Sequence, residues 1–306
     1  MNDCANTSFR VGPEVSVIMA SYNYASYIKE AIESVVAQSM PNWELIIVDD
    51  GSTDASLEIL AAYPQKYDRI RLLQHPDRKN HGLAKTLQLG LSEARGELIA
   101  FLESDDCWTP DSLEKRLRRL LESGADVVFS HVRVIDESNS GVVGDSVLVR
   151  SIHRCFKNKK LPLRLLGTLL TRNCIPTFSC VMLKAKFLCD ADFAAPVPRW
   201  LDWWLWLQVA PKGTFVYVSE VCTLWRMHNA SYNRKCGLIA YLKDASVMWQ
   251  GIRRLVLPMW GRLSRLERLL LKLPFVISLV MRMASIVSTV GPVNFIRRTV
   301  TKFSGL

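Results

Sequence analysis

The chain has no C-x-x-C pair, and its eight cysteines (positions 4, 107, 155, 174, 180, 189, 222 and 236) recur at no fixed spacing. That argues against a zinc site and a disulfide framework. The first residues lack the basic-then-apolar pattern of a secretory signal, so the expected location is the reducing cytosol. No internal repeat is evident. A glycine-rich basic loop is also missing after the first apolar run, where Ala20-Ser21-Tyr22-Asn23 stands instead. Its absence weighs against a nucleotidyltransferase.

What is present describes an ordinary globular protein. A chain of 306 residues, 49% hydrophobic and 22% charged, has room for one large domain or two. Charge is unevenly placed. From Gly251 onward ten lysines and arginines face Glu267 alone, so +9 of the net +10 lies in the last segment.

Two short apolar runs end in acids: Leu45-Ile46-Ile47-Val48 before Asp49-Asp50-Gly51-Ser52, and Leu98-Ile99-Ala100-Phe101-Leu102 before Glu103-Ser104-Asp105-Asp106. Each reads as a buried strand that delivers carboxylates to its exposed end. In open α/β sheets ligands bind outside the carboxyl ends of the strands. A polar ligand, with a divalent cation, is the expectation.

The remaining elements alternate. Strands are expected at 15–20, 45–48, 70–73, 98–102 and 127–129, with helices at 28–36, 57–61, 83–94 and 112–123 between them. Ile28, Ala31, Ile32, Val35 and Val36 supply the one-sided stripe of the first helix. This order predicts a doubly wound, mostly parallel α/β sheet. Beyond Ser130 the pattern loosens. Arg150 to Lys160 reads as a basic surface loop, 179–183 and 215–218 as strands, and Trp200 to Val209 as a tryptophan-rich helix.

From Gly237 the chain reads as helical and apolar, with breaks at Pro258, Pro274 and Gly291-Pro292. Arg265, Arg268 and Lys272 line one face, and Leu266, Leu269, Leu270 and Leu273 another, the pattern of an interfacial helix. Only nine residues separate Lys272 from Arg282, whereas a spanning helix needs roughly 20 apolar residues. The tail is expected to lie on an anionic membrane surface, on the inner face of the cell membrane. Its interleaved leucines and valines disfavour nucleic acid.

Four segments together resemble the inverting family 2 glycosyltransferases of GT-A fold. They are Val15 to Asn23, Val48 to Asp54, Glu103 to Pro110, and Asp202 to Asn233. The resemblance spans residues 13–235 in the family's order and spacing. It implies a nucleotide-sugar half over 1–125 and an acceptor half over 126–236 of one domain, and the C-terminal helical amphipathic extension expected over 237–306 lies beyond it.

By that resemblance Ser21, Tyr22, Asn23 and Asp50 form the base and ribose pocket for a UDP-linked sugar. Lys85 stands where the family carries an arginine and Thr86 where it carries an asparagine. Glu103, one methylene longer than the usual aspartate, opens the D-x-D-like motif, with Ser104 beside the donor and Asp105 on a Mn or Mg ion. Asp202 takes the position of the general base, although Leu201 replaces the family's glutamate and Trp204 stands where an acid is common. Arg226 and His228 match the Arg-x-His segment that closes over the diphosphate or its metal. Trp203 is the candidate for stacking on the acceptor. The implied reaction moves a sugar from a nucleoside diphosphate to a hydroxyl of a glycan or lipid-linked acceptor in surface polysaccharide synthesis, lipopolysaccharide among them. The alternative is a non-catalytic nucleotide-sugar-binding or scaffold protein of the same fold, which the departures at Glu103, Thr86 and Leu201 would suit.

Overall fold

The structure is a computed structural model that describes residues 12–136, 147–159, 161–228 and 238–272. Strands β1 (Val15–Ser21), β2 (Trp43–Asp49), β3 (Ile70–Gln74) and β4 (Leu98–Phe101) are parallel. Helices α1 (Ile28–Val36), α2 (Ser56–Ala61), α3 (Tyr63–Lys66) and α4 (Leu83–Ser92) connect them. These strands bury both faces, and their side chains alternate between two cores. Ile18, Ile46, Val48, Ile99 and Phe101 enter one. Val17, Met19, Leu45, Ile47, Leu98 and Ala100 enter the other, beneath Ile28, Ala31, Ile32 and Val35 of α1.

The chain continues through β5 (Cys107–Trp108), α5 (Ser112–Ser123), β6 (Val127–Ile135), α6 (Val147–Phe156), α7 (Leu166–Thr171), β7 (Val181–Lys184), α8 (Leu201–Val209) and β8 (Phe215–Arg226). One sheet results among the described residues, in the order β3-β2-β1-β4-β7-β6-β8-β5. Strand β7 runs against its neighbours β4 and β6, and β5 runs against β8. The rest share one direction, so the sheet is α/β and mostly parallel, as expected. Strand order reverses beside β1, and the carboxyl ends of β1, β2 and β4 meet there. That crevice is where a ligand is accommodated.

The segment expected as a basic loop from Arg150 is helix α6 through Phe156, whereas Lys160 lies outside the described residues. Val149, Ile152 and Phe156 recur at helical spacing and are buried, and the basic residues between them face outward. Charge on the outer face masked an amphipathic pattern. Strand β8 is also longer than the expected 215–218, since it runs to Arg226 with register shifts opposite Ser130 to Val132.

The C-terminal extension begins with α9 (Leu238–Val256) and, after a 3-10 stretch over Leu257–Arg262, ends its described part with α10 (Arg265–Lys272). Ala245, Met248, Trp249, Ile252 and Val256 form one buried stripe of α9, and the last four belong to the main core. Cβ atoms at Gly251 would come within 2.4 Å of Pro196, so glycine there lets α9 lie against the segment leading into α8. Arg199 also pairs with Asp244, and Trp200 meets Tyr241 edge-on at 5.6 Å. This part of the extension is built into the body. The breaks expected at Pro274 and Gly291-Pro292 lie outside the described residues, as does Leu273.

Candidate active site

At the ends of β1 and β2 the chain forms two interlocked turns. Asn23 adopts φ +59°, and its Oδ1 accepts from the backbone N–H of Thr53 at 2.7 Å and of Asp54 at 3.3 Å. Gly51, at φ +74°, lies so close to the 78–80 backbone that a Cβ would be 2.8 Å from the Arg78 carbonyl oxygen. Asp50 holds that neighbouring loop. Its two oxygens accept from the N–H groups of His81 at 2.7 Å and Gly82 at 2.9 Å, and His75 Nε2 is 3.4 Å away. The Asp50 carboxylate thus faces the start of α4, on whose first turn Lys85 is exposed. Tyr22 is 42% exposed beside it in sequence. Buried Ser21 Oγ and Asp49 Oδ1, on residues paired in register, have no hydrogen-bond partner among the described residues.

The second acid cluster follows β4. Ser104 ties it to β1 by donating to the Ala20 carbonyl at 2.8 Å. Asp106 is fully buried and accepts from the Arg226 N–H at 2.9 Å, while Glu103 and Asp105 keep partial exposure. Thr177 was not singled out in the sequence, yet its hydroxyl touches both Glu103 and Asp106. Burial, then the nearby Asp105 charge, pushes the Glu103 carboxyl up to about 8 and the Asp106 carboxyl well above its usual range. Asp105 Oδ2 lies 2.9 Å from His228 Nε2, and the His228 ring packs 4.9 Å from Tyr27.

Arg226 does not stand open above this cluster. Only 2% exposed, it donates through Nε to the Asp105 carbonyl at 2.8 Å and pairs through Nη2 with Glu30 of α1. Its guanidinium lies 5.2 Å over the Tyr27 ring. A buried cation needs such partners, and these are supplied by Glu30 of α1, the Tyr27 ring and the acid loop. In this structure Arg226 anchors Asp105 and Asp106 rather than reaching toward a diphosphate.

Asp202 sits in the first turn of α8. Asn173, before the turn that leads to β7, donates Nδ2–H to Asp202 Oδ2 at 2.8 Å. Its own Oδ1 accepts from the Ile175 N–H at 3.1 Å, which fixes the orientation of the amide. Burial pushes the Asp202 carboxyl up to about 6, against the lowering effect of the Trp203 N–H and Asn173. The Asp202 charge adds to the rise of the Glu103 carboxyl. Trp203 is not available for an acceptor. It is 7% exposed and donates Nε1–H to the Leu169 carbonyl at 2.8 Å, because α8 is packed on all sides by core.

Among the described residues no three His, Cys, Asp or Glu side chains group as a closed metal site. Asp105 and His228 do provide a hard oxygen donor beside an imidazole. The carboxylate suits Mg or Mn, whose shells are completed by substrate phosphates and water, whereas the imidazole suits transition metals better than Mg.

The family model described as "Glycosyl transferase family 2" matches residues 16–187. The chain belongs to glycosyl transferase family 2. It is 43% identical over 251 residues to "Putative glycosyltransferase EpsE" of Bacillus subtilis, covering 81% of this chain and 85% of that protein. A match of 29% identity to "UDP-Glc:alpha-D-GlcNAc-diphosphoundecaprenol beta-1,3-glucosyltransferase WfgD" of Escherichia coli covers 71% of this chain and 78% of that one. With "Putative teichuronic acid biosynthesis glycosyltransferase TuaG" of Bacillus subtilis the chain shares 42% identity, but the match spans only 46% of that protein and 39% of this chain. Among solved structures, S. aureus TarS 1-349 in complex with UDP-GlcNAc superposes with a TM-score of 0.57 at 19% identity, covering 90% of this chain and 81% of that one. The fold of this family 2 glycosyltransferase is therefore the one TarS shows.

Proposed function

We propose that this family 2 glycosyltransferase transfers a sugar from a UDP-linked donor, with inversion, to a hydroxyl of a lipid-linked glycan. The observation that carries the reading is the Asp202 carboxyl. Held by Asn173 beside the acid cluster and pushed up to about 6, it is ionised at neutral pH yet basic enough to take a proton from an alcohol in the transition state. Inversion follows when the deprotonating group and the leaving diphosphate lie on opposite faces of the sugar.

The uridine is assigned to the turns around Ser21, Tyr22, Asn23 and Asp50, whose backbone is knitted together by Asn23 and Gly51. Lys85 supplies positive charge near the donor. Glu103 and Ser104 line the path to the sugar. Asp105 and His228 would hold a divalent cation, Mn or Mg, which when bound neutralises charge on the departing diphosphate. The names of TarS and WfgD support the UDP donor, and that of WfgD supports a diphospholipid-linked acceptor.

Purified protein incubated with Mn and a panel of UDP-sugars, with lipid extract as acceptor, should release UDP from one donor. Asp202→Asn should keep nucleotide binding and lose release. Equal release by the variant would remove Asp202 from the mechanism. Binding without release in the unmutated protein, across all donors, would favour a non-catalytic sugar-nucleotide-binding protein.

A further inference from the structure

Helix α10 divides its faces in a way the sequence pattern did not separate. Leu270 and Leu271 are buried, and the helix packs on α7. The opposite face leaves Leu269 55% exposed, and Leu266, one turn before Leu270, is 61% exposed at its edge. Arg265 and Lys272 are exposed on that face, with Arg268 half-buried between them, and Arg262 is exposed just before the helix. A groove of about 300 Å³ opens there, lined by Trp260, Arg265, Arg268, Leu269 and Lys272. Lys272 Nζ lies 5.5 Å from the centre of the Trp260 ring.

The helix is well made without a partner. Ser264 and Glu267 form a capping box: the Ser264 N–H donates to Glu267 Oε2 at 2.7 Å, and the Glu267 N–H donates to Ser264 Oγ at 3.2 Å. That reciprocal pair engages the one acid of the segment at the helix start, away from the cations. Nothing acidic among the side chains lining the groove neutralises them.

We infer that this face of α10, with Trp260, docks the protein onto an anionic lipid leaflet. Two leucines suit the acyl boundary, a tryptophan suits the headgroup level, and cations on flexible stems reach the lipid phosphates. A second copy of the chain fits poorly, since a two-fold contact through this face would oppose the same arginines. Within the described part of the extension, 238–272, the inference assigns membrane contact to one exposed helix face, since the α9 stripe is committed to the core. It stands independently of the transfer reaction, because its measurement needs no sugar donor.

Flotation of the full chain with phosphatidylcholine vesicles, and with vesicles enriched in phosphatidylglycerol, tests it. Wild type should float with the anionic vesicles alone and be released by salt. Arg265→Glu with Arg268→Glu should lower anionic-vesicle partitioning by about tenfold or more. Leu266→Ser with Leu269→Ser should lower it by about tenfold at unchanged salt dependence. UDP binding in both variants should match wild type, which reports an intact fold. Equal flotation on neutral and anionic vesicles, or wild-type partitioning by both variants, would overturn the assignment. So would a variant that changes oligomeric state and leaves vesicle binding intact, because the face would then meet another copy of the chain.

Discussion

The two halves of the sheet position functional groups by different means. In the donor half, β1 to β4 are parallel and each acid lies within a few residues of the strand that delivers it. Asp50 and Asn23 bind backbone N–H groups of nearby turns, so this half is a scaffold of loops locked by side chains. In the acceptor half, an antiparallel strand β7 interrupts the alternation, and groups meet from far apart in sequence. Thr177 reaches Glu103 and Asp106, and Arg226 reaches Glu30 and Asp105, whereas Asn173 meets Asp202 over a separation like that from Asp50 to His81. On the proposed reading, the nucleotide turns are closed by side chains just after β1 and β2 and by backbone at the start of α4, whereas the acid cluster depends on Thr177 and Arg226 from the other part of the sheet.

The sharpest break in this comparison is Asp202→Asn. The amide cannot act as a base, so kcat should fall by about 10³ to 10⁴ with donor affinity retained, read by nucleotide release against UDP binding. Stability should move the other way. The folded carboxyl is raised to about 6 from 3.8, so its ionisation is disfavoured by the fold and stability is lost as pH rises between those values. At pH 7 the uncharged amide should therefore be more stable, by up to about 3 kcal/mol in urea unfolding. At pH 4 the gain should largely vanish. No gain at pH 7 would mean that the carboxylate is better solvated than its surroundings indicate.

The donor half should respond through affinity instead. Asp50→Ala removes the acceptor for two N–H groups and frees the 78–82 loop, at about 2–4 kcal/mol. Donor affinity should drop on the order of 30-fold, measured by UDP calorimetry, with a smaller change in the rate of bound donor. A large kcat loss at unchanged donor affinity would erase the distinction between the halves.

How far each half could be read in the sequence follows the same division. Strands β1, β2 and β4 were legible because buried parallel strands are continuous apolar runs, and their acids stand next to them. Asn173 and Thr177 left no such trace, since a polar residue in an irregular connection looks like any loop residue until the tertiary fold brings it to a carboxylate. Trp203 misled for the opposite reason. Its helix has aromatic residues all round, a composition that core and acceptor platform share, and only the hydrogen bond to Leu169 separates the two. Helix α6 was hidden by its outward arginines, and the burial of α9 by reading the basic extension as a separate element.

Asn173→Ala probes the connection between those distant segments at a lower amplitude. Removing its N–H from Asp202 leaves the desolvation of that carboxyl opposed by one donor fewer, so the pKa of the base should climb. The acid limb of the kcat profile would shift upward accordingly. Glu103, whose carboxyl the Asp202 charge helps raise, is the same in both enzymes. Loss of fold alone would scale the profile without moving it.

Smallest of all should be Gly251→Ala, far from any reacting group. A methyl 2.4 Å from the Pro196 ring cannot be absorbed by a flexible chain end, so α9 must move from the segment leading into α8. Overpacking of this kind costs about 1–3 kcal/mol. Thermal unfolding should shift down by a few degrees, and donor affinity should stay at the wild-type value because α9 packs chiefly on α8 and the 257–262 stretch. If kcat falls while donor affinity holds, α9 helps set the position of Asp202, and the extension belongs functionally to the acceptor half. If donor affinity falls as well, the two halves are coupled through the core, and the local character assigned to the donor site would have to be given up.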